Sequence, residues 1–184
     1  MITQIDFKIL EFIQIHSNPV LDVIFSAVTH LGDGGIFWIL VALVLIIFKK
    51  TRKCGILMLI TLAAGLIIGN LALKNIIARD RPFIQDPVLQ NFLLISPPPG
   101  FSCPSGHTLA SFESATIIFI FSKKWGIPAF ILAALIGFSR IYLNVHFPSD
   151  VLFGLVLGIV IGVCVYFAYN KFFAKIFDSK LFSE

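Results

Sequence analysis

The chain is short of charge. Only 13% of its 184 residues are Asp, Glu, Lys or Arg, whereas 58% are hydrophobic and twenty are Phe. A soluble domain cannot clothe its surface with so little charge, and the composition is that of an integral membrane protein. Cysteine is scarce as well. Cys54, Cys103 and Cys164 lie far apart, which predicts neither a disulfide nor a cysteine-based metal cluster. Residues 1–16 lack the basic leader and unbroken apolar core of a cleaved signal. The net charge of +4 is carried mostly by loop lysines and arginines that report topology, so no nucleic-acid partner follows from it.

Apolar runs fill most of what remains. Residues 55–73 and 151–170 are long enough, and free enough of charge, to span the hydrocarbon. Residues 36–48, 108–121 and 125–138 are shorter spans bounded by charge or turn residues. Residues 20–31, which carry Asp22 and His30, make a sixth. Before them Ile5, Ile9, Phe12 and Ile13 fall at helical spacing, with Asp6, Lys8 and Glu11 elsewhere on the wheel. That pattern predicts an amphipathic interfacial helix over residues 1–17. The fold class expected is therefore all-α: a polytopic six-helix transmembrane bundle preceded by a surface helix, with residues 1–184 forming one membrane-embedded domain. Gly65 with Gly69, and Gly154 with Gly158 and Gly162, are small-residue repeats that suit close helix packing.

Lysines and arginines orient the bundle. Lys49, Lys50, Arg52 and Lys53 share one short loop, Lys123 and Lys124 another, and Lys171, Lys175 and Lys180 the tail. The positive-inside rule puts all three groups in the cytoplasm, with both termini. The other polar segments then fall outside: the turn at residues 32–35, the stretch 74–107 and the turn before Asp150.

Those outer segments hold the candidate chemistry. Arg140, His146 and Asp150 are the only charged or imidazole side chains between Lys124 and Lys171. Each is expensive in so apolar a setting. A His can attack phosphorus, an Asp can hold its ring in one tautomer, and an Arg can grip phosphate oxygens in a fork. An Arg or His at a helix end also serves as a snorkelling anchor.

Lys74 lies one turn beyond Asn70, and Arg81 follows Lys74 by two turns, so both can point to one side of a helix that Pro82 stops. Lys74, Arg79 and Arg81 oppose the positive-inside tendency, and Asp80 neutralises only one of them. They await an anion, or anchor headgroups. Residues 83–103, broken by Pro97, Pro98 and Pro99 yet rich in Phe, Leu and Ile, read as an interfacial lid or lipid-facing loop.

Pro104-Ser105-Gly106-His107 opens the next helix. Ser105 suits the N-cap, Gly106 admits a ligand close to the backbone, and the first amides form a phosphate cradle. His107 stands beside it, placed to donate or accept a proton. Glu113, inside the membrane, reads as a protonated carboxyl hydrogen-bonded within the bundle. His30, Asp33 and the glycines between them and Ile36 could line a site, though Gly and Asp more often serve turns.

Taken together, Lys74-x6-Arg81-Pro82, Pro104-Ser105-Gly106-His107 and Ser139-Arg140-x5-His146-x3-Asp150 resemble the three signature motifs of the type 2 phosphatidic acid phosphatase superfamily. The resemblance implies a membrane lipid phosphatase acting on a lipid phosphate or diphosphate, with no cofactor or metal. It implies His146 as nucleophile, Asp150 as its orienting partner and His107 as acid and then base. Lys74, Arg81, Arg140, Ser105 and Gly106 would hold the phosphate. The layout is most similar to compact bacterial undecaprenyl pyrophosphate phosphatases. Phosphatidylglycerophosphate and phosphatidic acid are the alternative substrates, and a non-enzymatic anion or lipid transporter is the reading from another class.

Overall fold

A computed structural model describes residues 2–174; Lys175 and Lys180 of the expected basic tail lie outside the described residues. Every regular element among the described residues is helical. Helix α1 (Ile2–Ile15) precedes α2 (Pro19–His30), which Asn18 caps by accepting the Val20 and Leu21 amides, each at 3.1 Å. A short 3₁₀ turn (Asp33–Gly35) leads into α3 (Ile36–Ile47). Gly34 and Gly35 take φ of 58° and 69° there, a left-handed conformation suited to glycine. The turn expected around Asp33 is thus present, and it bends α2 against α3 by 41°.

Helix α4 (Arg52–Gly65) runs on through a π-helical stretch (Leu66–Leu73) into one α turn, α5 (Lys74–Ile77). Ala78 then turns left-handed at φ 47°, and Arg81 is extended. Lys74 and Arg81 therefore do not share a continuing helix, as their spacing suggested. The chain breaks four residues before Pro82, where alanine gives no local warning. Helix α6 (Pro82–Gln85) and a 3₁₀ segment (Pro87–Phe92) follow.

Helices α7 (Gly106–Phe121), α8 (Lys123–Tyr142) and α9 (Pro148–Ala168) form the centre, with α7 packed on α8, α9 and α4. The α9 glycines make this possible. A Cβ on Gly158 would lie 2.8 Å from the Leu109 carbonyl, and one on Gly154 would lie 2.9 Å from that of Ser105. Two apolar clusters result. One joins Trp38, Leu57, Met58, Phe112, Ile117 and Ile136 across the bundle. The other gathers Leu10, Phe83, Tyr142, Leu143, Val145 and Phe147 beneath α1 and the α8–α9 turn.

Among the described residues, three helical runs are long and apolar enough to cross a bilayer: Arg52–Gln85, Lys123–Tyr142 and Pro148–Phe172. The bent pair of α2 with α3 makes a fourth if it is one broken span. Helix α7 has 16 residues, or about 24 Å at 1.5 Å per residue, short of a hydrocarbon core near 30 Å. It is walled in by its neighbours, and Thr108, Ser111, Glu113 and Ser114 are buried along it.

Helix α1 also differs in detail from its wheel. Ile5, Ile9 and Phe12 are exposed as a membrane-facing stripe requires, but Asp6 is buried at 2% exposure beside Leu10 and Ile13. The face turned to the bundle carries a carboxylate.

Candidate active site

The α8–α9 turn alternates its residues. Leu143, Val145 and Phe147 enter the second apolar cluster, and His146 between them turns the other way, into a cavity of about 500 Å³. Pro148 starts α9, and Asp150 sits at its third position, where its Oδ2 accepts the Phe147 amide at 2.9 Å. His146 Nδ1 lies 3.7 Å from that same oxygen, and Nε2 lies 3.3 Å from Arg81 Nη1. A guanidinium only donates and a carboxylate only accepts. Arg81 as a donor at Nε2 favours the proton on Nδ1, which faces Asp150 at more than hydrogen-bond distance and has no other partner. Burial, at 2% exposure, holds the imidazole pKa well below its ordinary range, down to about 3. The Asp150 carboxylate pulls it up and the Arg81 and Arg140 charges push it down.

Lys74, Arg81, Arg140, His107 and the Gly106 backbone line the same cavity. Arg81 is fixed from behind: Nε donates to the Gly100 carbonyl at 2.8 Å, Nη2 to that of Pro99 at 3.0 Å and Nη1 to that of Val145 at 2.9 Å. The proline-rich loop is therefore the scaffold of an arginine. Arg140 Nη1 donates to the Thr29 hydroxyl, while its buried Nε has no partner. Lys74 makes no hydrogen bond or ion pair among the described residues. Three cations thus converge with donors to spare.

Gly106 opens α7, and a Cβ there would meet Asn70 Oδ1 at 2.8 Å. Ser105 holds the N-cap position without capping: its hydroxyl accepts from Thr108 at 2.9 Å, and its amide donates to the Asp150 carbonyl at 3.2 Å. His107 Nε2 is 2.9 Å from Asp33 Oδ1, and His30 Nδ1 is 2.8 Å from Asp33 Oδ2. Asp33 does more than shape a turn. It ties the α2–α3 bend to His107, a contact that residues 74 positions apart could not announce.

Glu113 lies at the inner end of the cavity, 1% exposed, against Gly65. Its Oε2 has no partner, where an internal hydrogen bond was expected. Cys103 stands near Asp150; burial and that negative charge push its thiol up to about 12. Cys54, Cys103 and Cys164 are all free thiols.

The residues expected from three separate motifs therefore meet around one cavity. Ser105 and Asp150 stand just behind its wall. Asp6 was read only as part of a polar helix face, Arg79 only as one of three cations awaiting an anion and Asp33 chiefly as a turn residue; each gains a partner from a distant segment.

Fold and site define an all-helical membrane protein with a cationic cavity flanked by two histidines. The chain belongs to the PAP2 superfamily, whose sequence profile matches residues 53–174. It is 39% identical to the undecaprenyl-diphosphatase of Sulfolobus acidocaldarius over 122 residues, which cover 66% of this chain and 58% of that protein. It is 35% identical to the undecaprenyl-diphosphatase BcrC of Bacillus subtilis over 147 residues, 80% of this chain and 74% of that one. Among solved structures, the transmembrane PAP2-type phosphatidylglycerolphosphate phosphatase of Bacillus subtilis superposes with a TM-score of 0.75 at 27% identity. That superposition covers 92% of this chain and 87% of that one. Aquifex aeolicus LpxE also gives a TM-score of 0.75, at 29% identity, over 87% and 93%.

Proposed function

We propose that the chain hydrolyses a lipid diphosphate, undecaprenyl diphosphate or a close polyprenyl analogue, through a phosphohistidine on His146. The reading is carried by the placing of the His146 ring: Nδ1 on the side of Asp150, and Nε2 turned into the cavity, where its lone pair meets Arg81 among three cations. In the first step Nε2 forms a bond to the terminal phosphorus as the bond from phosphorus to the bridging oxygen breaks. His107, its Nε2 held by Asp33 and its ring protonated once the anionic diphosphate is bound, gives that oxygen its Nδ1 proton, and the lipid monophosphate leaves. In the second step water attacks phosphorus, His107 takes the water's proton, and the N–P bond breaks to release phosphate and restore His146. Lys74, Arg81, Arg140 and the Gly106 amide hold the three equatorial oxygens through both steps. Ser105 shapes the cradle from behind. These cations supply the charge neutralisation that Mg²⁺ supplies elsewhere.

The identities to two undecaprenyl-diphosphatases favour the diphosphate lipid. The likeness to a phosphatidylglycerolphosphate phosphatase keeps that lipid as the alternative substrate. The basic loops at Lys49 to Lys53 and at Lys123 and Lys124 support a six-span bundle with a surface α1 and a site facing the extracytoplasmic side.

One experiment tests activity and side together. In sealed right-side-out vesicles given undecaprenyl diphosphate or phosphatidylglycerophosphate in the outer leaflet, the wild-type protein releases phosphate outside, faster from the first lipid. His146→Ala releases none. Turnover by His146→Ala would remove the nucleophile, and phosphate appearing only inside the vesicles would reverse the orientation.

A further inference from the structure

The carboxylate beside His146 is held by a chain of contacts that the reaction above does not use. Arg79 Nη1 donates to Asp150 Oδ1 and to the Ser149 hydroxyl, both at 2.7 Å. Its Nη2 donates to Asp6 Oδ2, also at 2.7 Å. Asp6 Oδ1 accepts the Ser149 amide at 3.0 Å, and the Ser149 hydroxyl donates to Asp6 Oδ2 at 2.6 Å. The guanidinium lies over the Phe147 ring, 4.0 Å from its centroid. Asp6 comes from α1, Arg79 from the left-handed break after α5, and Ser149 and Asp150 from the first turn of α9.

We infer that Asp6 and Arg79 are positioning residues for the hydrolysis: α1 clamps Arg79, Arg79 fixes Asp150, and Asp150 fixes the His146 ring. The inference rests on the phosphohistidine reading given above. Geometry is one half of it. Asp150 has two oxygens to satisfy, and the Phe147 amide holds one while Arg79 holds the other. Without Arg79, the Coulomb pull of Arg81 would draw the freed oxygen toward the phosphate cradle and take the carboxylate off Nδ1. Charge is the other half. Asp6, Arg79 and Asp150 together carry a net charge of −1. A phosphorylated imidazole that keeps its Nδ1 proton gains positive character, and a buried charge of opposite sign stabilises it. Asp6 is thus a counter-charge as well as a pin.

The test uses the full chain in lipid vesicles with the same diphosphate substrate. Asp6→Asn keeps shape and removes the charge; Arg79→Ala removes the link. The kcat is expected to fall about 10-fold in the first and about 100-fold in the second, the range seen when an orienting outer partner is lost, with KM within about twofold. Millimolar guanidinium is expected to restore part of the Arg79→Ala rate without raising the melting temperature. Phosphoenzyme trapped in alkaline detergent, where the N–P bond survives, is expected to fall in step with kcat. Wild-type kcat in Asp6→Asn overturns the inference, and so does a loss that appears only in KM. A loss that follows melting temperature, with no guanidinium rescue, overturns it too. An inactive His146→Ala beside a fully active Asp6→Asn removes this inference alone. An active His146→Ala removes both it and the reading it rests on.

Discussion

His146 is a buried imidazole that must stay neutral to act as the proposed nucleophile, and the fold keeps it so at a cost in stability at low pH. Its pKa is pushed down to about 3 by burial and by the Arg81 and Arg140 charges, against the pull of Asp150. In the unfolded chain the same ring takes its proton near about 6.5. Between those values the unfolded state binds a proton that the folded state refuses. The contribution of His146 to stability is therefore complete above about 6.5 and is lost as pH falls toward about 3. The melting temperature in detergent is expected to drop through that window, and to drop less steeply in His146→Asn. Equal slopes for the two proteins would mean that other groups carry the acid sensitivity.

At this scale much was legible. A charge in an apolar sequence is costly, so Lys74, Arg81, Arg140, His146 and Asp150 announced themselves. Arg79 and Asp6 carry the same cost, but their pairing went unread. Arg79 stood beside two other cations, and Asp6 sat on the polar side of a helical wheel. Only the fold shows that they share a contact, 73 residues apart.

Among the elements, the seam between α7 and α9 is the least forgiving. The Cβ that Gly158 lacks would come within 2.8 Å of the Leu109 carbonyl and 3.0 Å of the Glu113 amide, both backbone atoms of a helix packed on three sides. Neither atom can step aside. Gly158→Ala is expected to cost about 1–3 kcal/mol through overpacking, more than the roughly 1 kcal/mol of helix propensity that alanine returns. The check is the melting temperature of the purified variant in detergent; a value at or above that of the wild type would show that the helices are free to part. The glycine repeats foretold this seam, because only small residues let helix backbones approach so closely. The break at Ala78 left no such trace, since alanine is the best of helix formers. That break nonetheless sends Arg79 toward Asp150 and Arg81 into the cavity, two residues apart and on opposite errands.

At the scale of the whole molecule, the site is assembled from both halves of the chain. His107 leans on the α2–α3 bend through Asp33, while His146 belongs to the α8–α9 turn. The order of motifs along the sequence gave their chemistry, but not which of them touch. The span count was harder to read: the apolar run at α7 forms a helix of 16 residues, shorter than a span of the hydrocarbon needs.

The cavity has one more consequence. Its volume of about 500 Å³ suits a molecule of ordinary drug size. For the proposed substrate, a diphosphate and the first few carbons of a polyprenyl tail would fill it, and the rest of the tail would stay among the bilayer chains. The turnover number is therefore expected to be flat across prenyl diphosphates of increasing length, measured one by one in the same vesicles. A steady climb with length would mean that the protein grips the tail throughout. With a flat series, the enzyme reads its substrate by the head alone, and length decides only how firmly that substrate is moored in the membrane where the two meet.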